Sequence, residues 1–133
     1  RQTGEGEMKL RHIAIKVDDL EAAGDFYENF LGFRDVRQGR NRDHFSRHMT
    51  DGNIDIALVK YDSEDSSNEA KAAGEGPCIH HIGFEVDDIE ARIEEIKGKG
   101  YEIISNPGVV PVKFRAPGGT IAEFAPRAHF KLD

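Results

Sequence analysis

The sequence predicts an α+β fold made of two copies of one unit, each a strand, a helix and then three strands. Three observations carry that expectation. The run His81-Ile82-Gly83-Phe84-Glu85-Val86-Asp87-Asp88-Ile89-Glu90 matches His12-Ile13-Ala14-Ile15-Lys16-Val17-Asp18-Asp19-Leu20-Glu21 without a gap, at an offset of 69 residues. In each copy apolar residues alternate with period two into an Asp-Asp step and then recur at helical spacing, which is how a strand feeding a helix is written. Turn signals, Asp51-Gly52 and Pro117-Gly118-Gly119, then separate extended runs late in each copy. Two such units imply an internal pseudo-twofold, so residues 69 apart become neighbours in space.

Composition narrows the functional classes. A chain of 133 residues fits one domain, or two small repeats sharing a core. With 25 acidic against 18 basic residues and a net charge of −7, a broad electrostatic grip on nucleic acid or anionic lipid is not expected. Arg34, Arg37, Arg40, Arg42 and Arg47 form local basic spots that could take an anion. The single cysteine, Cys78, excludes an internal disulfide and suits a reducing compartment, and its ordinary role is that of a small core residue. No apolar run approaches the roughly 20 residues that span a bilayer, so a soluble, cytoplasmic protein is expected. Residues 1–7, polar and Gly-rich ahead of Met8, read as an expression remnant outside the fold. The expected organisation is a first unit over residues 8–61, a linker over 62–77, a second unit over 78–127 and a tail over 128–133.

The first strand, Lys9 to Val17, sets Ile13, Ile15 and Val17 on one face and His12, Ala14 and Lys16 on the other. A helix starts at Asp18 or Asp19, where a carboxylate can cap free N–H groups, and Glu21 completes a capping-box pattern. Its expected core stripe is Leu20, Ala23, Tyr27, Phe30 and Leu31, with Gly32 as the stop. Strands are expected at Phe33 to Val36, at Arg40 to Met49 and at Ile54 to Tyr61, the last two joined through Asp51-Gly52. The stretch 62–77 lacks apolar periodicity and holds at most a helical turn near Asn68 to Ala73. The second unit repeats the order: strand Ile79 to Val86, a helix with Ile89, Ile93 and Ile96 on one face, and a stop at Gly98 and Gly100. Strands Tyr101 to Ser105, Val109 to Arg115 and Thr120 to Ala125 follow, with turns at Asn106-Pro107-Gly108 and Pro117-Gly118-Gly119.

His12 and His81 each interrupt an otherwise apolar strand, on the face opposite the residues that pack under the helix. A lone histidine there is ordinarily structural. Two at equivalent repeat positions meet in one central cleft, and imidazole pairs are favoured ligands of divalent metals. Glu123 stands between Ala122 and Phe124 in the last strand. It is either a surface glutamate on an edge strand or a buried carboxylate that needs a cation, and a position facing two histidines favours the metal. When the late hairpin strands of the two units are aligned by their turns, Asp55 falls beside Glu123 and becomes the fourth candidate ligand. A bridging water or a solvent-facing role stays open for so short a side chain. His44 and His48 share a face of the neighbouring strand; either could line the cleft or replace Asp55, and both otherwise read as exposed histidines beside arginines.

The repeated unit, the histidines in HIAIKVDDLEAAGDFYENFLGF and HIGFEVDDIEARIEEIKGKGYE, and the ending FRAPGGTIAEFAP resemble the vicinal oxygen chelate superfamily from Met8 to Pro126. That superfamily includes glyoxalase I, methylmalonyl-CoA epimerase, extradiol dioxygenases, fosfomycin-resistance thiol transferases and bleomycin-binding proteins. The resemblance implies two βαβββ modules forming one open cup of eight strands, helices outside, with one divalent metal (Zn, Ni, Co, Mn or Fe) held by residues of both. The motif positions carry onto His12, His81 and Glu123, and onto Asp55 after the shift described. The chain departs from the family at Ala116-Pro117-Gly118-Gly119, where an Asp-Pro-Asp-Gly type of turn is common, and at Asp55, where glyoxalase I has glutamate and the epimerase glutamine. The expected function is a metal-dependent lyase or isomerase that chelates vicinal oxygens of a small substrate and stabilises an enediolate or enolate, with Glu123 as ligand and catalytic base. A non-haem Fe(II) extradiol-type dioxygenase using the same ligands, or a drug-binding protein without chemistry, are the alternatives. Lys16, Glu85, Lys113 and Arg115 could reach the cup. Family resemblance and exposed sheet edges imply a homodimer.

Overall fold

The protein is described by a computed structural model over residues 8–132; residues 1–7, read above as an expression remnant, and Asp133 lie outside the described residues. The element order is β1 (Met8–Lys16), α1 (Leu20–Asp25), β2 (Arg34–Asn41), β3 (His44–Thr50), β4 (Asp55–Tyr61), α2 (Asn68–Ala72), β5 (Cys78–Val86), α3 (Ile89–Lys99), β6 (Val112–Arg115) and β7 (Ile121–Pro126). All seven strands join one mixed sheet in the order β2-β3-β4-β1-β5-β7-β6. β1 and β5 are antiparallel at its centre, flanked by the parallel pairs β1/β4 and β5/β7. The predicted α+β class stands.

The strand count is the correction: among the described residues seven strands form, not eight. The expected strand Tyr101 to Ser105 is reduced to a single bridge between Ile103 and Phe114. Its backbone still approaches β6, with Ile104 N–H donating to Lys113 O at 2.8 Å. But Lys113 N–H donates to the Ser105 hydroxyl at 2.7 Å, so a side chain replaces the main-chain acceptor and breaks the ladder. β6 begins only at Val112, after Pro111, which has no N–H to give a ladder. In the first half, the strand expected at Phe33 to Val36 instead continues to Asn41, and the next opens at His44 after a turn with Arg42 at positive φ.

Helix termini follow the repeat. Asp19 accepts from Ala22 N–H and Asp88, its counterpart, accepts from Ala91 N–H, capping α1 and α3. α3 ends on Gly100 in the left-handed region. α1 passes directly into a π-helical turn over Phe26–Phe30, closed by Leu31 N–H to Phe26 O and by Phe33 N–H to Tyr27 O. The wider turn breaks the expected stripe: Leu20, Ala23 and Tyr27 pack inward, while Phe30 and Leu31 turn to solvent at 78% and 46% exposure. Phe33, carried past the stop at Gly32, takes the inward place.

α1 and α3 cover one face of the sheet, while α2 lies on the other, with Glu69 at the cup. α1 lies on Met49, Ile56 and Leu58, with Ile13, Ile15 and Val17 beside them. α3 lies on Val112, Phe114 and Ala122 through Ile89, Ile93 and Ile96. β4 alternates between layers, with Ile56 and Leu58 under α1 and Ala57 and Val59 on the concave side with Ala14. Leu58 is fully buried. Leu58→Ala should therefore cost about 2–5 kcal/mol, read as a lower urea midpoint at unchanged slope.

Candidate metal centre

On the concave face one row of side chains runs across the strands: Asp55 pairs with His12, His12 with Gly83, Gly83 with Glu123, and Glu123 with Lys113. His81 sits one pleat away, opposite Ala14. Each ligand histidine thus faces a small residue on the neighbouring strand, Gly83 beside His12 and Ala14 beside His81, and these two occupy the same place in the repeat. At Gly83 a Cβ would stand 2.8 Å from His12 Cδ2 and 3.1 Å from Glu123 Oε2, so only glycine lets the two side chains close over it.

The Nε2 atoms of His12 and His81 are 3.1 Å apart. Glu123 brings Oε2 to 3.7 Å from His12 Nε2 and Oε1 to 3.4 Å from His81 Nε2. All three residues are buried. Glu123 is no surface glutamate, and burial alone would raise its pKa; the positive charge facing it, the Lys113 ammonium at 3.1 Å above all, outweighs burial and holds the carboxylate well below its usual range. Burial pushes the His81 imidazole down to about 4 against the pull of Glu123, which leaves it neutral and able to coordinate. Two imidazoles and a carboxylate at these separations suit one divalent ion with bonds of about 2.0–2.2 Å.

Asp55, expected as a fourth ligand, does not join the three. It accepts from His12 Nδ1–H at 2.6 Å and from His48 Nδ1–H at 3.0 Å. Burial acts to raise its pKa, but these two bonds outweigh it and keep the carboxylate ionised. With Nδ1 held by Asp55, His12 turns Nε2 toward His81 and Glu123, an arrangement that orients a metal-binding imidazole. His44 and His48 both line the cup rather than standing exposed, His44 packing on Tyr61 and meeting Asp43. Of the four charged residues thought able to reach the cup, Lys113 does. Its ammonium lies 3.1 Å from Glu123 and 3.0 Å from Glu69; burial would depress its pKa, and the two carboxylates raise it instead. Lys16 bonds the Gly74 carbonyl, Glu85 accepts from Ala128 N–H, and Arg115 bonds the carbonyls of Ala72 and Gly119.

The tail contributes what sequence reasoning missed. Phe130 is buried and stacks on the His12 ring, centroids 4.6 Å apart and planes 11° from parallel, with His129 edge-on beside it. The cup so formed encloses about 490 Å³, with His12, His81, Glu123, His48, Lys113 and Phe130 in its wall.

This geometry can be set against known proteins. A family model described as the Glyoxalase/Bleomycin resistance protein/Dioxygenase superfamily matches residues 9–123. The chain belongs to this superfamily. Among superfamily relatives, the lactoylglutathione lyase of Neisseria meningitidis (serogroup A, strain Z2491) is 28% identical over 125 residues, covering 88% of this chain and 81% of the relative. The mitochondrial methylmalonyl-CoA epimerase of Homo sapiens is 32% identical over 130 residues, covering 86% and 72%. The solved structure of the methylmalonyl-CoA epimerase of Mycobacterium tuberculosis superimposes with a TM-score of 0.71 at 21% identity over 88% of this chain and 86% of that one, a likeness of fold. No helix among the described residues is long and apolar enough to cross a membrane.

Proposed function

We propose that this chain is a divalent-metal-dependent lyase or isomerase that moves a proton beside a carbonyl in a small substrate presenting two neighbouring oxygens. The convergence of His12 Nε2, His81 Nε2 and the Glu123 carboxylate at the floor of one cup carries the reading. It is supported by relatives whose names are those of a lyase and an epimerase. His12, His81 and Glu123 are assigned to one ion, Zn, Ni, Co, Mn or Fe, and Asp55 to the orientation of His12. The ion, when bound, supplies Lewis-acid polarisation of the substrate carbonyl.

The chain's own groups do the rest. A carboxylate engaged with a divalent cation is a weak proton acceptor, so Glu123, expected as ligand and catalytic base, is assigned here to the ion. His48, its Nδ1 on Asp55 and its ring in the cup wall, is assigned as the group that takes the proton. The Lys113 ammonium faces the same space and offsets negative charge developing on the substrate. Phe130 closes one side against water.

The test is metal analysis of gently purified protein together with deuterium exchange, from heavy water, into an α-hydroxythioester or a 2-methylmalonyl thioester. A stoichiometric ion and exchange abolished by chelation are expected. Glu123→Gln should lose ion and exchange together with its fold intact, and full exchange after chelation would overturn the reading. Asp55→Ala should lower zinc affinity by about 10–100-fold. His48→Gln should keep the ion and lower the exchange rate by about 10²–10⁴-fold.

The same two-histidine, one-carboxylate set serves Fe(II) oxygenases, so oxygen uptake with catechols by the Fe(II)-loaded protein is the second reading. A protein free of metal after gentle purification would point to ligand sequestration instead. We also assign a homodimer, since β2 is an edge strand of the sheet, to be checked by light scattering. A single free thiol, Cys78, fits a reducing, cytoplasmic setting.

A further inference from the structure

Residue 80 stands next to a ligand histidine in a strand, where alternation would send its side chain to the opposite face. It does not go there. The β1/β5 register pairs His81 with Ala14 and Ile79 with Ile15, so His80 is the extra residue of a β-bulge. The bulge turns His80 to the same side as His81, buried at 2% exposure, with its Nδ1 2.8 Å from His81 Nδ1. Its other nitrogen, Nε2, lies 2.6 Å from the main-chain carbonyl of Glu69 in α2.

A carbonyl oxygen only accepts, so His80 Nε2 carries a hydrogen and donates to Glu69. A neutral histidine that donates from Nε2 keeps a lone pair at Nδ1, and that nitrogen is the one that meets His81. The Tyr61 hydroxyl, 3.4 Å from His80 Nε2, is too distant to reverse that assignment. The hydrogen between the two Nδ1 atoms therefore belongs to His81.

We propose that His80 is a positioning residue: anchored on the Glu69 carbonyl, it fixes His81 as the Nδ1–H tautomer and leaves the His81 Nε2 lone pair aimed at His12 and Glu123. The two halves thus solve one problem with different groups. Asp55 holds the hydrogen of His12, and a second histidine, re-aimed by a bulge and tied to the segment between the halves, holds that of His81. The tautomer stands independently of the metal reading. Its effect on affinity rests on that reading.

Long-range proton–nitrogen correlation on the full, metal-free chain labelled in histidine reads the tautomer of His81 directly. A protonated Nδ1 and a bare Nε2 are expected near neutral pH. A His81 protonated at Nε2, or averaging between the two forms, overturns the proposal without any variant being made. His80→Phe should release the preference and lower zinc affinity by about 10–100-fold. His80→Gln, whose amide can both accept from His81 and donate to Glu69, should restore most of both; equal affinity in all three proteins overturns the proposal. A chain that binds no divalent ion yet shows the expected tautomer would sink the metal reading and support this one. Tight zinc binding with the opposite tautomer would do the reverse.

Discussion

In His81→Ala, zinc binding should fall by more than about 100-fold, beyond the range set by loss of an outer partner alone. His81 is the nearer imidazole to Glu123 and the one held neutral by burial, so removing it leaves two donors, a carboxylate and one ring, to grip the ion. Thermal unfolding with and without zinc is the measurement. The native chain should gain stability by linkage, roughly 4 kcal/mol when the ion stands at a thousand times its dissociation constant, and the variant should gain almost none. Without zinc both should unfold cooperatively, since the helix-side clusters around Leu58 and Ile96 are untouched. An unchanged zinc-dependent shift would show that the ion sits elsewhere.

The second large effect is expected at Gly83. Gly83→Val places branched carbon where even a Cβ comes within 2.8 Å of the His12 ring and 3.1 Å of the Glu123 carboxylate. His12 cannot retreat freely, because Asp55 holds its Nδ1 and Phe130 lies on its ring. Both the fold and the site should suffer. Overpacking of this kind costs about 1–3 kcal/mol, and displacing His12 and Glu123 from each other should remove zinc binding even in molecules that fold. Gly83→Ala is the graded control, with a smaller loss of stability and partial retention of the ion. Native zinc affinity in the Gly83→Val chain would mean that the row across the sheet is not what brings the donors together.

The fold was legible because repetition doubles every signal: Asp19 and Asp88 cap equivalent helices, and His12 and His81 fall on one face of equivalent strands. Glu123 was legible because a carboxylate within an apolar strand needs a reason to be there. Asp55 was found at the right place but with a different partner, since a short side chain on the strand beside β1 reaches His12 and stops. His80 was missed for a physical reason: a bulge depends on the register of the partner strand and leaves no mark in the periodicity of its own. Phe130 was missed because the tail has no period at all, and its place is set by contacts far away in sequence. Likewise the loss of the Tyr101 to Ser105 strand turned on one hydroxyl, that of Ser105, and the exposure of Phe30 on a single widened turn.

The seam between β1 and β5 has a consequence for how the molecule assembles. His12 comes from one side of that seam and His81 and Glu123 from the other, so neither half owns a complete set of donors. Two polypeptides split within residues 62–77 would each be chemically mute, and mixing them should recreate a zinc site only as they pair. By the same token, two intact chains that traded halves would rebuild identical donors at each of two seams, so partner exchange would be silent in chemistry and visible only in mass.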